Sequence, residues 1–149
     1  MSKRVLLSSL IGALALGGVA AGGLALAATP TDPTLENGSA RYAAPSGSRA
    51  GWLTYTVDVS DDSGVSGLKV IAWPASSRLD PTEKELLGAE SATCRSTAGG
   101  IARCTYTLKV TQRDAAEPAK DTWYVTALAT AEDGGTAFVP RAASFELTP

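Results

Sequence analysis

The chain has 149 residues, 44% of them hydrophobic, and its 13 basic and 15 acidic side chains leave a formal charge of −2. That is room for one domain, with no basic excess for nucleic acid or anionic lipid. There is no histidine, which removes Ser-His-Asp and Cys-His catalysis and every zinc site built on imidazole, and two cysteines are too few for a four-thiolate metal site.

Lys3 and Arg4 precede an uncharged apolar run from Val5 to Leu26, and Ala25-Leu26-Ala27 supplies the small-x-small pattern that signal peptidase reads. Residues 1–28 are therefore expected to be a cleaved signal peptide. A retained anchor is the alternative, because the run approaches the roughly 20 residues that span a bilayer. Cleavage leaves 11 basic and 15 acidic residues, a charge of −4, on about 121 residues, enough to bury a self-sufficient core. The mature protein is expected outside the cell, as a monomer free of membrane and nucleic acid.

Residues 29–38, rich in Thr, Pro and Asp, read as an irregular mature N-terminus, and 39–149 as one domain. Ser39 to Ala44 is a candidate first edge strand. Trp52 to Ser60 alternates Leu53, Tyr55, Val57 and Val59 with polar residues, the pattern of a half-buried strand. Asp61-Asp62-Ser63-Gly64 is a turn, since Asp and Ser bond to their own backbone and Gly permits positive φ. Val65 to Trp73 resumes the alternation, with Leu68, Val70 and Ala72 on one face and Lys69, Ile71 and Trp73 on the other.

Ser76 to Gly88 holds the one helical candidate, with Asp80 as N-cap, Pro81 first in the helix, Glu83 closing a capping box and Gly88 as stop. Leu79, Leu86 and Leu87 are expected to plug one end of the core. Ala89 to Arg95 and Ile101 to Thr111 form two strands about an Ala98-Gly99-Gly100 hairpin loop. Gln112 to Asp121 reads as a polar loop. Thr122 to Ala131 turns Trp123, Val125, Ala127 and Ala129 inward, and after the Glu132 to Gly135 turn a last strand runs from Thr136 to Leu147, with an edge position or bulge at Pro140. The sum is an all-β, two-sheet sandwich of about seven strands with one short helix in a connection.

Cys94 and Cys104 lie symmetrically about Gly99, so the hairpin places them opposite each other, and in an exported chain they form a disulfide. An activated thiolate would need a Cys-x-x-Cys or helix N-terminal setting that is absent here.

The segments DVSDDSGVSGLKVIAWP (Asp58 to Pro74) and WYVTALATAEDGGTAFV (Trp123 to Val139) resemble bacterial immunoglobulin-like and cadherin-like modules. The resemblance implies an immunoglobulin-like sandwich of the kind found in small secreted bacterial proteins of unknown function. The antibody-type bridge between sheets is missing, because Cys94 and Cys104 are too close in sequence to provide it. Cadherin-like modules hold calcium on loop-end carboxylates, which makes Asp58, Asp61 and Asp62, with Glu132 and Asp133 near a corresponding turn, candidate ligands. An ordinary Asp-rich turn is the plainer alternative.

Trp52, Trp73 and Tyr124 fall on the faces opposite the apolar stripes and are a candidate platform for a sugar or protein partner; a slip of strand parity would bury them instead. The disulfide loop CRSTAGGIARC would present Arg95 or Arg103 to a protease if it worked as a loop inhibitor, with a plain hairpin as the alternative. Acidic pairs such as Asp61 with Asp62 or Glu83 with Glu85 are the material for glycoside hydrolysis, but neighbours on a strand point to opposite faces, which makes the first pair poor. The functional expectation is a secreted, non-catalytic module for a protein, cell-wall or carbohydrate partner; an inhibitor is the alternative, and a small hydrolase a third.

Overall fold

The computed structural model describes residues 29–116 and 121–147. The expected signal peptide, residues 1–28, and Pro118 lie outside the described residues. The alternating segments become β1 (Thr34–Ala43), β2 (Gly51–Ser60), β3 (Val65–Pro74), β4 (Glu90–Ser91), β5 (Thr93–Ser96), β6 (Ile101–Val110), β7 (Thr122–Ala131) and β8 (Thr136–Glu146). Two short helices, α1 (Glu83–Leu86) and α2 (Gln112–Ala116), lie in connections.

The strands form two antiparallel four-stranded sheets, ordered β1-β2-β6-β5 and β4-β3-β7-β8. Leu53, Tyr55, Val57 and Val59 of β2 and Cys104 and Tyr106 of β6 pack with Leu68, Val70, Val125, Ala127 and Ala129 of the second sheet in one buried cluster. Fully burying a Val or Leu side chain is worth about 1.5–3 kcal/mol, so period-two alternation is what drives the sheets together. β1 and β8, edge strands of different sheets, lie side by side and close one flank.

Four expectations change. The first strand begins at Thr34, so residues 34–38 are not irregular; a bulge with Asn37 at φ 56° and a register shift between Glu36 and Ser39 breaks the alternation that would have revealed it. The segment expected as one strand from Ala89 to Arg95 is two, which makes eight strands. β4 pairs with β3, β5 pairs with β6, and the chain passes from one sheet to the other at Ala92. α1 starts two residues late: Thr82 is the N-cap, its Oγ1 accepting from the Glu85 N–H at 3.4 Å while Glu85 Oε2 accepts from the Thr82 N–H at 2.8 Å. Finally, the expected polar loop opens with α2, capped by Thr111, whose Oγ1 accepts from the Asp114 N–H at 3.2 Å while Asp114 Oδ2 accepts from the Thr111 N–H at 2.9 Å.

The leucines of the α1 connection also behave differently from expectation. Leu86 is fully buried, but Leu79 and Leu87 are 58% and 65% exposed. α1 lies against β3 and β7, on the outer face of the second sheet, and does not plug an end of the core. Beneath that connection Trp73, Thr126, Leu128 and Leu86 are buried apart from the main cluster, a second apolar layer.

Two expectations are met closely. Pro140 lies on the edge strand β8, opposite a register shift between Val125 and Ala127, where no ladder donor is required of it. The hairpin between β5 and β6 turns through Gly99 and Gly100 at φ 64° and 75°, and a Cβ on Gly100 would come within 2.5 Å of the Asp61 carbonyl oxygen.

Candidate functional site

Cys94 and Cys104 are directly paired across β5 and β6 and joined by a disulfide, with their Cα atoms 4.0 Å apart. The bridge stays within one sheet. Cys104 faces the core and is fully buried, so the sulfurs are structural.

The acidic candidates do not converge. Asp58 points out from β2 and is held by Arg103, whose Nε and Nη2 donate to its two oxygens at 2.8 and 3.0 Å, while Asn37 Nδ2 donates at 3.2 Å. These bonds, Arg103 first, hold the carboxyl below the usual range. Asp61 is only 8% exposed. Its carboxylate accepts the Ser63 hydroxyl at 2.6 Å, the Ser63 N–H at 2.8 Å and the Thr31 hydroxyl at 3.0 Å. Those donors lower its pKa, the Ser63 hydroxyl most. Asp62 is exposed.

The expected neighbouring turn does lie close: the Asp133 N–H donates to Ser63 Oγ at 3.1 Å and the Glu132 N–H to the Gly64 carbonyl at 2.9 Å. Yet among the described residues no three Asp, Glu or Cys side chains gather to hold a metal. Of the calcium candidates Asp58, Asp61 and Asp62, the first is engaged by the Arg103 guanidinium and the second by Thr31 and the donors of its own turn.

The three aromatic candidates do not make one platform. Trp52 projects from β2 at 45% exposure. Trp73 and Tyr124 lie on the other sheet, on the outer face as the alternation predicts, but Trp73 is only 3% exposed. Its Nε1–H donates to Thr126 Oγ1 at 2.9 Å, and that hydroxyl donates to the Pro140 carbonyl at 2.6 Å. Tyr124 packs on it with ring centroids 5.2 Å apart, and the Arg141 guanidinium lies 4.7 Å from the Tyr124 centroid. Parity was legible; the helical connection that covers this face was not.

What remains open is the outer face of the first sheet. Beside Trp52 stand two threonine rows that chain order alone hides: Thr54 pairs with Thr107, and Thr56 with Thr105, which in turn pairs with Thr93 on β5. The repeated Thr-Tyr-Thr at 54–56 and 105–107 is the signal that could have found them. Thr93, Arg95, Arg103, Thr105 and Thr107 line a shallow depression there. Arg95 and Arg103 are cross-strand partners in this face and not residues of a loop tip.

Residues 35–129 match a family of unknown function, DUF5707. The chain belongs to DUF5707. The DUF5707 match runs from β1 into β7, so it takes in the disulfide, Trp52 and both threonine rows, and stops short of β8. Neither a curated protein nor a solved structure matches the chain.

Proposed function

We propose that this protein is a secreted, non-catalytic immunoglobulin-like module that binds an extracellular polysaccharide on the outer face of the β1-β2-β6-β5 sheet. The observation that carries the reading is the contrast between the two outer faces. One is covered by the α1 connection; the other presents Trp52, rows of threonine hydroxyls and Arg95, and among the described residues α1 does not pack on it. A ring that can stack on a sugar, beside hydroxyl and guanidinium donors on a rigid sheet, is chemistry suited to a chain of hydroxyl groups.

Three further features support the reading. Strand order favours the immunoglobulin-like assignment: with β1 to β8 taken as A, B, C, C′, D, E, F and G, the sheets read A-B-E-D and C′-C-F-G. The leader-like residues Lys3 to Ala27 and the cross-strand disulfide fit export. Unlike the buried Trp of antibody-type domains, Trp73 on the third strand faces outward under α1, so the shared feature is the sandwich and not its core.

Co-sedimentation of the exported protein with insoluble cell-wall and polysaccharide fractions tests the proposal. Wild type is expected to sediment with at least one fraction, and Trp52→Ala to weaken retention about tenfold, the scale of a lost aromatic contact. Equal retention of Trp52→Ala, or no retention of wild type on any fraction, would remove the polysaccharide reading.

A further inference from the structure

At the end of the sandwich away from the Asp61 turn, the two sheets part around a cavity of about 240 Å³. Its opening follows from the short strands. β5 pairs with β6 only as far as Thr105, and β4 pairs with β3 only at Lys69 and Val70, so among the described residues no strand pairs with β6 or β3 on those edges beyond them. Leu108, an inward position by parity, is consequently 40% exposed at the mouth. Leu53 and Ala72 line it from opposite sheets, and Trp123 and Phe145, with ring centroids 6.1 Å apart, complete the lining.

Among the described residues, the Asp114 carboxylate of α2 is the one charged side chain that lines this cavity, with no lysine or arginine beside it. Arg113 beside it in sequence is exposed and outside the lining. The Thr111 hydroxyl and N–H, and more weakly the Arg113 charge, lower the Asp114 pKa. A carboxylate over an aromatic and aliphatic chamber is complementary to a cation with an apolar body. Size limits that body: an apolar cavity of about 150 Å³ takes a benzene, so this one admits a single ring with a short chain.

The geometry points to a binding site for one small organic cation, its ring or alkyl body between the sheets and its ammonium group at Asp114. This site is separate from the polysaccharide face and does not depend on it.

Isothermal titration of the full, oxidised chain with phenethylamine, phenethyl alcohol and phenylacetate separates charge from shape, since the three share a body and differ in head group. Phenethylamine is expected to bind about tenfold tighter than the alcohol, with phenylacetate weakest. Asp114→Asn, which keeps a carbonyl to accept from Thr111, should bring the amine to the level of the alcohol. Ala72→Leu, which fills the chamber, should abolish binding of the amine and the alcohol at an unchanged fold, checked by circular dichroism. Equal affinity for the three compounds, amine binding indifferent to either substitution, or no binding to the folded chain would each overturn the proposal.

Discussion

Asp61 illustrates how a residue type that suggests a ligand becomes a structural part. Its carboxylate is spent on the Ser63 hydroxyl, the Ser63 N–H and the Thr31 hydroxyl, which tie the segment ahead of β1 to the turn between β2 and β3. These donors favour the charged form, so the folded-state pKa lies below the unfolded value of about 3.9. The resulting stabilisation is present above the unfolded value and is lost as pH falls through the folded one. Asp58, Glu85 and Asp114 are lowered as well and act in the same direction. Thermal melts from pH 7 down to pH 2 should show the melting temperature falling on acidification. Asp61→Asn should melt lower at pH 7 and show a shallower fall; a parallel curve would mean that this carboxylate does not hold the turn. The Asp-Asp-Ser-Gly turn was readable from sequence because its chemistry is local, whereas Thr31 and Arg103 are 30 and 45 residues from the acids they bind.

At the scale of elements, the legible parts were those whose signal is periodic or symmetric. β2, β6 and β7 announced their buried faces by alternation, and the cysteine pair announced its hairpin by its symmetry about Gly99. The bridge should contribute roughly 3 kcal/mol by closing a short loop in the unfolded chain. Urea unfolding of Cys94→Ala with Cys104→Ala should be weaker by about that amount, and an unchanged midpoint would mean that the ladder alone holds β5.

α1 was harder to read because two capping boxes overlap in the sequence, one starting at Asp80 and one at Thr82, and only packing chooses between them. The choice decides which leucine is buried. Leu86→Ala is expected to cost about 3 kcal/mol, and Leu87→Ala no more than about 0.5 kcal/mol, measured by chemical denaturation. Similar costs at both positions would place the helix in a different rotation over β3 and β7.

Across the whole molecule, the two sheets have opposite fates on their outer sides. The connection between β3 and β4 folds back over the second sheet, sealing Trp73 against Thr126 and leaving Tyr124 under Arg141. Among the described residues no connection folds back over the first sheet in this way, and Trp52, Thr93 and Thr107 are exposed there. Sequence alternation alone cannot distinguish these cases, since an outward position is the same whether or not a later segment returns to cover it. The candidate face therefore emerged from three long-range facts: which strands pair, in which register, and where α1 docks.

The most direct test of that contrast is backbone amide NMR of the isotope-labelled protein titrated with soluble fragments of cell-wall and other polysaccharides. Shifts are expected at Thr54, Thr56, Thr105 and Thr107, with the Trp52 indole, and not at Tyr124 or Arg141. Shifts confined to the second sheet, or none at saturating fragment, would contradict the account.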